Sequence, residues 1–136
     1  MILQVGVKVF LKKGNSYLLV KRSQEKYKGA KGSWDIVGGR IEPGTELIEN
    51  LKREVKEETQ LEITSEPLLI TAQDIIPNPE KHVVRLTYIA ETIGEPLLDT
   101  SENVEYRWLT LKEMQEQDDL DIYVKEIVNS NLNERL

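Results

Sequence analysis

The chain has 136 residues, of which 39% are hydrophobic and 31% are charged, and its formal net charge is -6. These values are typical of one soluble globular domain, and we predict a single domain over residues 1–136. The acidic balance argues against a non-specific nucleic-acid or membrane binder, because such proteins present a basic face. Cysteine is absent, so disulfides and thiolate metal sites are excluded.

The first predicted element is a β-strand rather than a leader sequence. The segment MILQVGVKVFLKKGN alternates apolar and polar residues, and it lacks the basic start and small-residue cleavage site of a signal peptide. No apolar run approaches the length of a membrane span. We therefore expect a cytoplasmic protein.

The strand Leu3–Leu11 is followed by the turn residues KKGNS and a second strand, Tyr17–Arg22, which together predict a hairpin. The polar segment SQEKYKGAKGS then predicts a loop, whose lysines either meet phosphates or are simply solvated. A short apolar strand, Trp34–Val37, runs into Gly38 and Gly39, which predict a tight turn.

A helix is predicted from Thr45 to Thr59, because apolar residues recur there at helical spacing. Thr45 or Gly44 is expected to cap its N-terminus. The apolar stripe consists of Leu47, Ile48, Leu51 and Val55.

The second half of the chain predicts more strands and two helices. LEITSEPLLITAQDI and HVVRLTYIAE are typical of strands, and the proline-containing IPNPEK between them predicts a loop. VEYRWLT predicts a further strand, and LKEMQEQ and LDIYVKEIVNSNL predict helices. Strands on both sides of a central helix indicate a mixed-sheet α/β domain.

Three glutamates crowd one face of the predicted central helix. Glu54 is three residues before Glu57 and four before Glu58, so the side chains share a surface beside the apolar stripe. Carboxylates that repel one another at the edge of a core favour a hard divalent cation, and Mg²⁺ prefers carboxylate oxygens, water and substrate phosphates. The alternative is a solvated acidic face that ordinary ion pairs to Lys52, Arg53 and Lys56 would satisfy.

The spacing of these glutamates resembles the Nudix box, G-x5-E-x7-R-E-U-x-E-E-x-G-U with U aliphatic. The chain keeps the first glycine, the arginine, three of the four glutamates and both aliphatic positions: Gly39, Arg53, Glu54, Val55, Glu57, Glu58 and Leu61. The preceding GSWDIVGG is also similar to the usual lead-in. The resemblance implies an α/β/α sandwich with a mixed β-sheet and the Nudix loop-helix-loop.

Two positions depart from the box. Thr45 stands where the first glutamate belongs, which leaves open how Arg53 is held, and Glu46 or Glu42 are candidate substitutes. Gln60 stands where a glycine, which tolerates a positive φ, belongs, so we expect a strained or reshaped C-cap.

The resemblance extends to MutT-type members through HVVRLTYIA, GEP and the strand that contains Trp108. In those members a loop glutamate before the tryptophan joins the metal site. The matching residue is Glu102, with Glu105 as the second candidate.

The resemblance implies a Mg²⁺- or Mn²⁺-dependent hydrolase that cleaves a nucleoside diphosphate linked to a moiety X. Glu57 and Glu58 would be metal ligands together with a carbonyl of Gly38 or Gly39. Glu54 would ligate the metal or deprotonate the attacking water, and Glu102 competes with it as the base. Arg53 would orient the glutamates by hydrogen bonding.

The substrate is expected to be a small nucleotide, and the MutT-like second half favours a nucleoside triphosphate, canonical or modified, cleaved to NMP and pyrophosphate. Pro77 is a weak marker of the alternative, an ADP-ribose or nucleotide-sugar pyrophosphatase. A non-catalytic Nudix-fold nucleotide-binding module is a further alternative, and the protein is expected to be a monomer or a homodimer. Core packing is the expected role of Trp34 and Trp108, with stacking on a base as the alternative. A structural or solvent-facing role is expected for His82, with a catalytic role as the alternative.

Overall fold

The computed structural model describes residues 1–25 and 32–136, so the lysine-rich part of the predicted loop lies outside the described residues. The N-terminal hairpin is present, with β1 at Ile2–Lys13 and β2 at Ser16–Arg22. Gly14 adopts φ +61° in the connecting turn, a conformation that suits glycine.

The strands form one mixed sheet in the order β3-β2-β1-β6-β5, with β4 paired to β1 and β7 paired to β2. β1 runs parallel to β6, and Val5 lies opposite Val84, whereas the other pairings are antiparallel. The remaining strands are β3 Trp34–Asp35, β4 Val37–Arg40, β5 Leu68–Asn78, β6 Lys81–Glu91 and β7 Asn103–Leu109.

Helices cover both faces of the sheet, so the expected α/β/α sandwich is confirmed. Successive residues of β2 point to opposite faces: Leu18 joins the core cluster under helix α1 (Leu47–Thr59), and Leu19 joins the cluster on the other side. That second cluster packs against α2 (Leu111–Glu116), α3 (Ile122–Val128) and the region of a 3₁₀ turn at Asn131–Arg135. No helix in residues 1–25 and 32–136 is long and apolar enough to cross a membrane.

Two expectations about local structure are wrong. Gly38 and Gly39 do not form a turn but lie inside β4, paired opposite Lys8 and Val7 of β1. The segment IPNPEK is not an open loop, because β5 continues to Asn78 and β6 begins at Lys81. Prolines are tolerated there because β5 is the last strand of the sheet order, where a missing N–H need not break a ladder.

The start of α1 also differs from the expectation. The helix begins at Leu47 rather than Thr45, and the residue at its N-cap, Glu46, makes no capping bond through its side chain. The Asn50 side chain fastens this turn instead, because its Oδ1 accepts from the Glu42 N–H (2.9 Å) and its Nδ2 donates to the carbonyls of Thr45 (2.9 Å) and Glu46 (2.7 Å).

The expected C-cap is present. Gln60 adopts φ 60° and ψ 6°, in the left-handed region, and its N–H donates to the Lys56 carbonyl. A residue with a Cβ is strained in this conformation, whereas glycine is not.

We predict that Gln60→Gly stabilises the protein by about 0.5–1 kcal/mol, since the relief of left-handed strain exceeds the extra chain entropy of glycine. Gln60→Ala is the matched control, because alanine keeps the strain. The measurement is urea unfolding of the three proteins. A glycine variant that is no more stable than the wild type would contradict the assignment of strain.

Candidate functional site

A cavity of about 560 Å³ lies between the sheet, helix α1 and the segment that leads into β7. This volume is typical of a site for a small organic ligand. Six of the residues singled out from the sequence line it: Gly38, Gly39, Glu54, Glu57, Glu58 and Glu102.

Glu58 is held at the cavity wall by two protein donors. Its Oε2 accepts from the Gly38 N–H (3.1 Å), and its Oε1 accepts from Asn103 Nδ2 (3.3 Å). Burial, together with the charge of Glu54, raises the pKa of Glu58 to about 7, although Lys8 and both hydrogen bonds act in the opposite direction. A further positive charge beside this carboxyl would lower its pKa.

Glu54 lies directly over Gly39. A Cβ built on Gly39 would approach Glu54 Oε2 to 2.7 Å, so the carboxylate occupies space that only glycine leaves open. Burial raises the pKa of Glu54, and Glu57 adds to the shift, whereas Arg53 opposes it. Glycine at this position therefore allows the carboxylate to approach the strand closely.

Arg53 does not line the cavity but forms ion pairs with the glutamates from outside it. Its Nη1 is 3.1 Å from Glu54 Oε1, 3.3 Å from Glu57 Oε2 and 3.7 Å from Glu42 Oε1. Its Nη2 donates to Asn50 Oδ1 (3.1 Å). Of the two candidate substitutes for the missing box glutamate, Glu42 is the one that contacts Arg53.

The segment before β7 is tied to the end of α1. The N–H groups of Leu97 and Asp99 donate to the carbonyls of Thr59 (2.9 Å) and Glu58 (3.2 Å). The Glu102 carbonyl accepts from the Ser23 N–H (2.8 Å) on the other side. These bonds bring Glu102 to the cavity.

Glu105 lies elsewhere. It belongs to β7, opposite Lys21 of β2, and its Oε1 is 3.7 Å from Arg107 Nη2. It does not line the cavity, so the structure places only the first of the two candidate loop glutamates beside Glu54, Glu57 and Glu58.

The donor set suits a hard divalent cation, although its carboxylates are not gathered around one point. Within the part of the chain that the structure describes, no three His, Asp or Glu side chains are close enough to form a metal site as they stand. Glu57 is exposed and turned to Arg53, and Glu58 is bonded to Gly38 and Asn103. Carboxylate and carbonyl oxygen donors of this kind fit Mg²⁺ or Mn²⁺.

Sequence reasoning missed a second group of charged residues in this cavity. Lys8, Arg22, Asp35, Arg85 and Asp121 all line it. Lys8 Nζ is 3.1 Å from Asp35 Oδ2, and Arg85 Nη2 is 3.0 Å from Asp35 Oδ1. Arg22 bonds to both aspartates, at 2.9 Å in the case of Asp121 Oδ1, and Arg85 Nη1 is 3.3 Å from Asp121 Oδ2. We call these five residues the charged network.

Asp35 is the centre of the charged network. Burial alone would raise its pKa, but the charges of Arg85, Lys8 and Arg22 outweigh burial and hold the pKa well below its usual range. Two sequence signals point to the network: an aspartate and an arginine, Asp35 and Arg85, each occupy an otherwise largely apolar strand segment.

Trp34, Trp108 and His82 lie outside the cavity lining. Trp34 is buried in the core and carries the Arg107 guanidinium 4.4 Å from its ring centroid. Trp108 packs against the core cluster under α1, and Lys13 Nζ lies 4.1 Å from the centroid of its ring. His82 Nε2 is 2.7 Å from Asp74 Oδ1, on the surface.

The family model of the NUDIX domain matches residues 2–128. This match covers nearly the whole chain, and it agrees with the fold and with the placement of the glutamates. The chain therefore belongs to the Nudix family.

Two curated relatives share part of the sequence. Human 8-oxo-dGDP phosphatase NUDT18 is 43% identical over 65 residues, which are 48% of this chain and 19% of that protein. The ADP-ribose pyrophosphatase of Methanocaldococcus jannaschii is 33% identical over 93 residues, which are 68% of this chain and 53% of that protein. The chain thus spans about a fifth of the length of the first relative and about half of the second.

Solved structures share the fold over almost the full length. The MutT protein of Methanosarcina mazei Go1 superimposes with a TM-score of 0.81 at 22% identity, covering 98% of this chain and 94% of that one. The MutT NUDIX hydrolase of Burkholderia pseudomallei gives a TM-score of 0.79 at 21% identity, with both chains fully covered. At these identities the likeness shows the fold.

Replacement by alanine is expected to lower stability by different amounts at the two adjacent glycines. A Cβ at Gly38 would lie 2.0 Å from the Val7 carbonyl oxygen, and its φ of +148° disfavours any side chain. We expect Gly38→Ala to cost about 3 kcal/mol of unfolding free energy or more.

Gly39→Ala is the matched control, because the atoms nearest to its Cβ belong to the flexible end of the Glu54 side chain. We expect it to cost less than about 1 kcal/mol while displacing that carboxylate. Thermal and denaturant unfolding measure both variants. Equal losses of stability would refute the close packing described for β1 and β4.

Proposed function

We propose that this chain is a divalent-metal-dependent pyrophosphohydrolase that cleaves a nucleoside diphosphate linked to a moiety X. The preferred substrate is a nucleoside triphosphate, canonical or modified, which yields NMP and pyrophosphate. One observation carries the proposal: four glutamates from two separated segments of the chain line one cavity, namely Glu54, Glu57, Glu58 and Glu102. Gly38 and Gly39 of β4 line the same cavity.

The carboxylates of Glu57 and Glu58, with Glu54 and a carbonyl of Gly38 or Gly39, would hold Mg²⁺ or Mn²⁺. When bound, such an ion neutralises the diphosphate and lowers the pKa of a coordinated water. Arg53 holds Glu54 and Glu57 in position from outside the cavity. Residues 1–136 act as one domain in this proposal.

Hydrolysis requires a base that takes a proton from the water that attacks phosphorus. Glu54 and Glu102 both line the cavity and both remain candidates. The variants Glu54→Gln and Glu102→Gln distinguish the two candidates. The base is the residue whose replacement lowers turnover while the affinity for Mn²⁺, measured by titration calorimetry, is retained.

The two curated relatives support the reaction class, because 8-oxo-dGDP and ADP-ribose are both nucleoside diphosphate derivatives. The archaeal relative aligns with 68% of this chain, and this favours ADP-ribose as the second candidate substrate. The presence of all three helix glutamates at family spacing, Glu54, Glu57 and Glu58, argues against a module that binds nucleotides without cleaving them.

We predict that Glu57→Gln and Glu58→Gln each lower metal-dependent turnover at least about 100-fold, because a metal ion contributes several kcal/mol to stabilisation of the transition state. The assay incubates each protein with Mg²⁺ or Mn²⁺ and canonical or oxidised nucleoside triphosphates, 8-oxo-dGDP or ADP-ribose, with and without EDTA. Chromatography identifies the products.

Glu49→Gln is the matched control, since Glu49 lies on α1 but does not line the cavity. Its turnover should equal that of the wild type, and thermal melting should show that all three variants are folded. Wild-type turnover in both cavity variants would eliminate the proposed metal site.

A further inference from the structure

The proposed hydrolysis leaves the charged network without a role. Asp35, Arg85 and Asp121 are buried, and Lys8 and Arg22 are partly buried. Burying charged side chains is costly unless they are paired, and replacing such a network by apolar residues is often neutral or stabilising. The network lines the same cavity as the glutamates, and Lys8 lies opposite Gly38 in the β1–β4 pairing. Its residues are therefore positioned to contact a ligand that occupies the cavity.

The two carboxylates of the charged network are buried, and their hydrogen-bond acceptor positions are filled by protein donors. The Asp35 side chain is 1% exposed, and it accepts from the Ile36 N–H, Arg85, Lys8 and Arg22. The Asp121 side chain is 8% exposed. A carboxylate has about four acceptor positions, so Asp35 has none left for a ligand.

Asp121 is saturated in the same way. Its Oδ2 accepts the N–H groups of Tyr123 and Val124 at the start of α3, and the same oxygen lies 3.3 Å from Arg85. Its Oδ1 accepts from Arg22. A ligand amino group that entered the cavity would find both aspartates already occupied.

The cations of the network are the groups that remain accessible. The side chains of Arg22 and Lys8 are 22% and 18% exposed. Both side-chain bonds of Arg22 to the described part of the chain use Nη2, which leaves Nε and Nη1 as donors. Lys8 Nζ donates to Asp35 and to the Ile36 carbonyl, and so retains one of its three N–H groups.

The charges of the network do not cancel. Lys8, Arg22 and Arg85 carry three positive charges, and the two aspartates carry two negative ones. The network therefore presents donors and an excess positive charge to the cavity, next to a face of glutamates of opposite sign. Val20, Ile36 and Ile75 supply apolar wall beside it.

We propose that Lys8 and Arg22 form a subsite for an acceptor oxygen of the substrate. The inference rests on the proposed function, because it assumes that a nucleotide occupies the cavity. The oxygen belongs either to a phosphate or to a carbonyl of the base. Both are recognised by the same chemistry, charged N–H donors whose partner aspartates in the network are already occupied.

The decisive comparison uses inosine and adenosine triphosphates, which differ at one purine position, an oxygen in the first and an amino group in the second. Their α,β-methylene analogues are not cleaved, so calorimetry of the full chain with Mg²⁺ measures binding even if the chain hydrolyses nothing. The variants are Lys8→Met and Arg22→Met, and inorganic pyrophosphate is titrated as well. Lys52→Met is the control, because Lys52 lies on the exposed side of α1 and outside this cavity.

If the oxygen is a base carbonyl, the wild type binds the inosine analogue about tenfold more tightly or better, and both variants lose this preference. If the oxygen is a phosphate oxygen, the wild type binds both analogues equally. Both variants then weaken the two analogues and pyrophosphate by a similar factor of about ten or more. Either result supports the subsite.

Three results would overturn the proposal: binding by both variants that matches Lys52→Met, a wild-type preference for the adenosine analogue, or no wild-type binding of any of the three compounds. Arg22→Lys guards against misfolding, since it keeps a positive charge beside Asp35 but lacks the second donor arm. It should fold like the wild type in a thermal melt and still lose at least part of the affinity that Arg22→Met loses. The loss of turnover in Glu58→Gln tests the proposed hydrolysis separately.

Discussion

The close approach of strands β1 and β4 is the constraint on which the rest of the site depends. A side chain at Gly38 would overlap the Val7 carbonyl, so only glycine permits this pairing. The pairing exposes the Gly38 N–H to Glu58, and it leaves room above Gly39 for the Glu54 carboxylate. Helix α1 therefore lies against a bare stretch of backbone, and its glutamates meet the sheet at a distance that larger residues would prevent.

Two carboxyls in one cavity illustrate how neighbouring charges either oppose or reinforce the effect of burial on ionisation. Burial acts to raise the pKa of both Asp35 and Glu58. Asp35 is surrounded by Arg85, Lys8 and Arg22, and its pKa is lowered. Burial and the charge of Glu54 outweigh Lys8 at Glu58, and its pKa is raised to about 7. The aspartates of the charged network thus have their positive partners within the protein, whereas Glu58 has a raised pKa that a further positive charge would lower.

Local patterns in the sequence predicted the hairpin, the central helix and the shared face of Glu54, Glu57 and Glu58, because these depend on residues within one or two turns of each other. The place of Gly38 and Gly39 was not predictable in this way, since a glycine pair is common to turns and to strands under close packing. Arg85 and Asp35 are 50 positions apart in the chain, so their contact could not be predicted from the local periodicity of hydrophobic residues. Glu42 as the partner of Arg53 also depends on a turn, fastened by Asn50, that the spacing of the box does not describe.

The end of helix α1 links its own glutamates to Glu102. Gln60 turns the chain out of the helix through a left-handed conformation, and the last carbonyls of the helix are left without helical partners. The N–H groups of Leu97 and Asp99 bond to two of these carbonyls, those of Thr59 and Glu58. A residue 44 positions beyond Glu58 thereby reaches the same cavity through bonds between main-chain atoms. The strained helix end and the assembly of the four glutamates are consequently parts of one arrangement.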